Sequence, residues 1–307
     1  MNNELANYRI LERFGENFSD KKYITNPAIA REEELKKIIL TLLTPERSAI
    51  LTGKPGIGKT AIAEGLAYMI QQGNIPDALK GYQVYKLDTG ALAGEESTGE
   101  TIENRLQLLV KELETMDKVV IFIDEIHMLM SATTKGNLDF ANMLKPTLSR
   151  GSVKAIGATT TDEYERYILR DKAFVRRFEK IEIEEPDIET TIKIVLGTIP
   201  KIEHNAGIKF GYNTYVAEKV IRLMCDATTE YKRIFENESR YPDVALGLFG
   251  KSFSQALFHN RNQVLLTDCL EALATFQGIY PEVRVKEADK FAECFKEELA
   301  KEKELTS

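Results

Sequence analysis

The sequence predicts an α/β fold: a parallel five-stranded sheet with crossover helices, followed by a small C-terminal helical domain. Two observations predict it. Between Ser48 and Ile183, short β-rich runs alternate with longer segments of helical period, the pattern of a parallel sheet and its crossovers. Glu185-Pro186-Asp187 then breaks the alternation, and the periodicity beyond it is helical.

Each element has its own signal. The strands are expected at Ala49 to Thr52, Gln83 to Leu87, Val119 to Asp124, Val153 to Ala158 and Lys180 to Ile183. The third is apolar on both faces, as a central strand must be. After the first strand, Ile62, Leu66, Met69 and Ile70 fall at i, i+4, i+7 and i+8, and Gly73 with Pro76 supplies a helix stop. Beyond the break, helices are expected around Ile192 to Val195, Val216 to Met224, Val244 to Phe258 and Leu265 to Phe276. This divides the chain into a large domain over 1–185, a small helical domain over 187–281 and a charged helical tail over 282–307. Within the tail, Lys296 to Lys303 is dense in charge and is expected to fray into solvent.

Composition narrows the function. Of 307 residues, 43% are apolar and 29% charged, the range of globular proteins rather than low-complexity chains. Forty-eight acidic against 41 basic side chains give a net charge of −7, so the overall field repels a nucleic-acid backbone and direct contact with one is not expected. Glu4, Arg9, Glu12, Arg13 and Glu16 interrupt the first twenty residues, so a secretion signal is not expected there. The apolar run from Val119 to Ile123 is far short of the roughly 20 residues that span a bilayer, so no membrane insertion is expected. Cys225, Cys269 and Cys294 lie far apart, which suits inert thiols in a reducing cytoplasm. His127, His204 and His259 are dispersed and do not suggest a histidine metal site.

Two motifs carry chemistry. Gly53-Lys54-Pro55-Gly56-Ile57-Gly58-Lys59-Thr60 fits G-x-x-x-x-G-K-[ST] between a strand and a helix. Its glycines let the loop Pro55-Gly56-Ile57-Gly58 curl its backbone N–H groups around phosphates, with the helix N-terminus adding positive potential. Lys59 would reach the β- and γ-phosphates of ATP and Thr60 would ligate Mg²⁺. Downstream, Val119 to Glu125 places two carboxylates at the C-terminal end of an apolar strand, the edge where open α/β sheets bind ligands. Asp124 suits the Mg²⁺ shell and Glu125 suits a base for the attacking water. Alone, the same run would read as a buried strand ending in a solvated acidic turn; the phosphate loop favours the functional reading.

These residues resemble the AAA+ ATPases, and within them the first nucleotide-binding module of the Clp chaperone-unfoldases ClpA, ClpB and ClpC. The resemblance begins at Leu11-Glu12-Arg13-Phe14-Gly15 and at Asn26 to Glu33, and runs through the phosphate loop, Glu64-Gly65-Leu66-Ala67 and Leu87 to Leu92. It continues through Ile123 to His127, Asn142 to Pro146, Gly157-Ala158-Thr159-Thr160 and Arg176-Arg177-Phe178. It implies an AAA+ P-loop NTPase fold with a helical lid, Mg²⁺-dependent ATP hydrolysis, a homo-oligomeric ring, expected to be a hexamer, and a protein partner to be remodelled. By position, Thr160 corresponds to a polar sensor of the attacking water, although it also reads as a strand-end threonine satisfying backbone. Arg176 and Arg177 correspond to arginine fingers that act on the neighbouring subunit's ATP, with a solvated basic pair as the alternative. Asn26 to Arg31 corresponds to the segment covering adenine, with Ile29 as the apolar wall and Ala30 where the family usually has glycine.

Departures from the family pattern bear on the substrate. Ala91 to Glu100 lacks the aromatic residue that grips a threaded polypeptide and carries Glu95, Glu96 and Glu100 instead, so strong threading is not expected. Val244 follows Pro242-Asp243 where the family has a basic residue near the nucleotide lid. Leu266 to Pro281 faintly resembles the segment joining two ATPase modules, and the chain reads as a stand-alone module. The alternative function is an ATP-controlled oligomeric scaffold or switch that recruits a partner in a mobile-element, phage or secretion setting.

Overall fold

Runs of aliphatic and β-branched residues build the centre of a six-stranded sheet, seen in a computed structural model that describes residues 10–94, 101–134, 143–144, 147–148, 153–234 and 240–306. The chain divides into two compact units, Met1–Lys54 with Lys59–Glu184, and Pro55–Gly58 with Glu185–Ser307.

The sheet belongs to the first unit. Its strands are β1 (Gly15–Asn17), β2 (Ser48–Thr52), β3 (Gln83–Leu87), β4 (Val119–Ile123), β5 (Val153–Thr159) and β6 (Phe178–Glu182), in the order β1-β3-β4-β5-β2-β6. The last five in that order are mutually parallel, and every side chain of β2 and β4 is buried, as two-sided coverage by helices requires. The expected five parallel strands are therefore present, but β1 adds a sixth, antiparallel to β3 with Gly15 opposite Leu87. Gly-Glu-Asn has no β-branched residue and no alternation, so periodicity could not announce it. Glycine is required at 15 by close approach: a Cβ there would lie 2.5 Å from the Leu11 carbonyl oxygen.

Helices α1 (Ile10–Phe14), α2 (Glu32–Leu43), α3 (Lys59–Gln71), α4 (Thr89–Ala93), α5 (Ile102–Glu114) and α6 (His127–Thr134) alternate with the strands. A one-turn helix α7 (Thr161–Glu163) follows β5, and α8 (Lys172–Val175) precedes β6. Leu87, Leu106, Leu109, Ile121, Ile123 and Phe174 form part of one continuous core. Among the described residues, no helix is long and apolar enough to cross a membrane.

The second unit carries α9 (Ile188–Ala206), α10 (Thr214–Ala227), α11 (Asp243–Phe258), α12 (Leu266–Ala274), α13 (Pro281–Cys294) and α14 (Lys296–Thr306). A two-residue parallel pair joins β7 (Lys209–Phe210) to β8 (Gln263–Val264). Asp187 caps α9 by accepting from the Thr190 N–H at 2.7 Å, and Gly207 ends it at φ 72°. Val220, Leu248, Phe249, Cys269, Phe291 and Phe295 share its core, and Val244 is buried among them. Burial pushes both Cys225 and Cys269 up to about 12, so both stay thiols at neutral pH.

The tail does not fray over the described residues. Residues 296–306 are helical, and Glu302 is buried against the start of α12, where its carboxylate accepts from the Leu266 N–H at 2.8 Å and the Thr267 N–H at 2.9 Å. A charge run looks solvated in one dimension; here one of its carboxylates, Glu302, serves as a cap on another helix.

Candidate nucleotide site

The site is built where β2 ends and α3 begins. Gly56 at φ 76° and Gly58 at φ 98° adopt the left-handed region that disfavours a side chain, which lets the loop turn sharply into α3. The Lys59 ammonium donates to the carbonyls of Gly53 at 2.7 Å and Lys54 at 3.0 Å, so the lysine lies along the loop it follows. Burial lowers its pKa, opposed by the carboxylates of Asp124, Glu163 and Glu125. A partly desolvated cation beside exposed loop amides is a surface for a polyanion.

β4 brings the acids to the same edge. Thr60 Oγ1 donates to Asp124 Oδ2 at 3.0 Å, joining the first turn of α3 to the end of β4. Thr89 Oγ1 donates to the Asp124 carbonyl at 2.9 Å, and Lys86 Nζ lies 3.7 Å from Asp124 Oδ2. A hydroxyl and a carboxylate already within bonding distance are hard oxygen donors of the kind Mg²⁺ takes, so these residues fit that ion. Glu125 is exposed and held at φ 49°, a left-handed backbone that costs a non-glycine residue about 1–2 kcal/mol. Its N–H donates to Asp124 Oδ1 at 3.2 Å, and the next residue is tied to β5 by Ile126 N–H to the Ala158 carbonyl at 3.0 Å. The strained turn thus separates the two carboxylates: Asp124 faces Thr60 while Glu125 stands clear in solvent.

Thr160 sits at the end of β5 as the N-cap of α7. Its hydroxyl accepts from the Glu163 N–H at 3.2 Å and its own N–H donates to Glu163 Oε2 at 2.9 Å, a complete capping box. The backbone-satisfying reading of this threonine is therefore realised. His127 Nδ1 lies 3.1 Å from Thr159 Oγ1 and 3.2 Å from Glu163 Oε2, which gives this histidine a place in the same network.

Arg176 and Arg177 are not brought to the phosphate loop. They occupy the turn between α8 and β6, where the Arg177 carbonyl accepts from the Ser48 N–H at 3.0 Å and the Arg176 carbonyl accepts from Arg47 at 2.7 Å. That turn flanks the N-terminal end of β2, and the loop leaves its C-terminal end. Ile29 is half-buried, beside an Ala28 that packs directly on α3: a Cβ added to Gly65 would lie 2.3 Å from the Ala28 Cβ. The segment Asn26 to Arg31 therefore lies along the helix that opens at Lys59.

Sequence reasoning missed Lys86 and Glu163. The Thr160-x-x-Glu163 spacing of a capping box was a usable signal; for Lys86, one polar residue in a strand, there was none.

Residues 49–183 match the family model of the ATPase family associated with various cellular activities (AAA). Among curated relatives, the chaperone protein ClpB of Clostridium tetani is 43% identical over 216 residues, covering 68% of this chain and 25% of the relative. ClpB of Chlamydia caviae is 44% identical over 209 residues, covering 66% and 24%. The chain spans about a quarter of the length of these relatives. Among solved structures, a closed-state reconstruction of Hsp104 with ATPγS and FITC-casein superposes with a TM-score of 0.71 at 35% identity, over 86% of this chain and 45% of that one. The Hsp104–ADP complex of S. cerevisiae gives 0.69 at 36% identity, over 85% and 44%. The phosphate loop, the acidic strand end and strands β3 to β6 fall within residues 49–183, and the chain belongs to the AAA ATPases as a Clp-type AAA+ module.

Proposed function

We propose that this ATPase module works as one subunit of a homo-oligomeric ring, a hexamer, in the cytoplasm, and couples Mg²⁺-dependent ATP hydrolysis to remodelling of a partner protein. In this reading Lys59 and the loop Pro55-Gly56-Ile57-Gly58, through the N–H groups of Gly56, Ile57 and Gly58, hold the β- and γ-phosphates, Thr60 and Asp124 hold Mg²⁺, and Ile29 lies against adenine. Mg²⁺, when bound, supplies positive charge that offsets the phosphate oxygens. Glu125 takes the proton of the attacking water, and the Thr160 hydroxyl orients that water. Arg176 and Arg177 of a neighbouring subunit disperse the charge that develops on the transferred phosphoryl group.

The observation that carries this reading is the placement of the arginine pair at the sheet edge opposite the phosphate loop. Within one chain the pair cannot serve the loop, whereas head-to-tail packing brings one subunit's far edge to the next subunit's near edge. The solved Hsp104 complexes name casein, ATPγS and ADP, which supports a polypeptide partner and an adenine nucleotide.

The test is nucleotide binding and turnover by two variants. Lys59→Ala should lose binding, and Glu125→Gln should bind ATP and fail to hydrolyse it; turnover by Glu125→Gln at the parent rate rejects Glu125 as the base. A second reading, the ATP-controlled scaffold, is favoured by the missing aromatic between Ala91 and Glu100, of which 95–100 lies outside the described residues. ATP-dependent unfolding of a fluorescent reporter separates the two: the scaffold predicts none from the parent or from Ser97→Tyr, while efficient unfolding by the parent establishes threading.

A further inference from the structure

Lys86 points its ammonium at the carboxylate expected to hold the metal. Its Nζ lies 3.7 Å from Asp124 Oδ2, the same oxygen that accepts from Thr60 Oγ1 at 3.0 Å. Both side chains are mostly enclosed, at 32% and 25% exposure, so solvent screens the pair only in part. They share the wall of a cleft of about 520 Å³ whose other polar groups include Glu16, Asp88 and Glu125.

We propose that Lys86 is the resident counter-cation of Asp124, competing with the divalent ion for Oδ2 and thereby raising the Mg²⁺ concentration at which the nucleotide site fills. The proposal rests on the reading of Thr60 and Asp124 as metal ligands. An ammonium and a divalent ion cannot share one carboxylate oxygen at contact distance without mutual repulsion. Lysine is a point charge on a flexible four-carbon stem, so it can withdraw when the ion enters. The cleft gives it somewhere to go, since Asp88 and Glu125 line the volume beside it, while Glu16 is already paired with Lys21 at 2.8 Å. Filling the metal position therefore costs an ion pair as well as the hydration of the ion, and the pair sets a threshold.

The experiment titrates Mg²⁺ into the full chain carrying a fluorescent ADP analogue and reads the fluorescence, with Mn²⁺ binding followed by electron paramagnetic resonance as a second signal. Lys86→Met keeps the side-chain length and removes the charge; its midpoint should fall about three- to tenfold, as a partly screened ion pair and its repulsion of the incoming ion are both removed. Lys86→Arg should stay at the parent midpoint, and analogue binding in EDTA should be the same for all three. In an Asp124→Asn background, Lys86→Met should produce no further shift. A midpoint unchanged by Lys86→Met, or a shift that persists with Asp124→Asn, overturns the role of Lys86. A parent protein that gives no Mg²⁺-dependent fluorescence and no bound Mn²⁺ overturns the metal reading itself, and the proposal with it.

Discussion

The Ser48 N–H donates to the Arg177 carbonyl at 3.0 Å, which pins the arginine pair beside the first residue of β2, while Thr52 at the other end leads into the phosphate loop. Four residue steps at roughly 3.3 Å separate Ser48 from Thr52, about 13 Å along the strand before the loop is reached. Neither arginine can correct that distance by a rotamer change. Arg177→Ala should therefore bind nucleotide normally and lose turnover by about a thousandfold or more, the scale seen for arginine fingers. Mixing inactive Arg177→Ala with inactive Lys59→Ala subunits should restore activity, because some interfaces then pair an intact loop with an intact arginine. Verified mixed assemblies without rescue would defeat action in trans.

Ala30 stands at φ 54°, in the region where an L-residue is strained, and it is the position at which the family resemblance calls for glycine. Ala30→Gly should relieve about 1–2 kcal/mol of strain and give back about 0.5–1 kcal/mol through the greater freedom of the unfolded chain. The net is a stabilisation of roughly 0.5–1 kcal/mol, read as a higher urea midpoint at unchanged slope. The neighbouring contact predicts the reverse. Gly65→Ala would place a Cβ 2.3 Å from that of Ala28, so it should both destabilise the protein and weaken nucleotide binding by displacing Asn26 to Arg31 from α3.

What the sequence disclosed follows from the range of each interaction. The phosphate loop, the Asp124-Glu125 pair and the five parallel strands were legible because each is a local pattern: glycines at fixed spacing, or an apolar run ending in acids. The edge strand Gly15–Asn17 was silent because its register is set by Leu87, some 70 residues on, and not by its own three residues. Glu302 was misread for the same reason: its charge belongs to a solvated-looking run, and its partners Leu266 and Thr267 sit 36 and 35 positions away. Lys86 likewise acquires meaning only when β3 is laid beside β4.

Glu163 gives a pH signature. Its burial raises the carboxyl pKa, but hydrogen bonds from the Thr160 backbone and hydroxyl and from Thr159 outweigh that and hold it below the usual glutamate range. A depressed folded-state value means the stabilisation is fully present above the unfolded carboxyl's pKa of about 4.3 and is lost as pH falls through the lower folded value. Glu163→Gln imitates the protonated acid. It should cost about 1 kcal/mol at pH 7 in urea unfolding, and the two proteins should converge toward pH 3. A gap that is constant across this window would mean the cap does not depend on the charge.

Glu302 makes the strongest claim about stability. One carboxylate accepts from the Leu266 N–H at 2.8 Å, the Thr267 N–H at 2.9 Å and Thr267 Oγ1 at 2.6 Å, and it also takes the Tyr212 hydroxyl. Burial, reinforced by this carboxylate, pushes the Tyr212 phenol up, so it remains a donor at every physiological pH. The group thus satisfies the first free amides of α12 from a helix that follows it by some 30 residues, binding the end of the chain to the second unit's core. Glu302→Ala would leave buried donors unpaired, each costing about 1–3 kcal/mol, so a loss of roughly 3 kcal/mol is expected in urea unfolding. Tyr212→Phe removes one donor without stranding another and should cost about 1 kcal/mol. The order of the two variants matters more than either value: if Glu302→Ala proves no worse than Tyr212→Phe, the carboxylate is not capping α12, and the apolar contacts of Phe291, Phe295 and Leu299 carry the tail helix in its place.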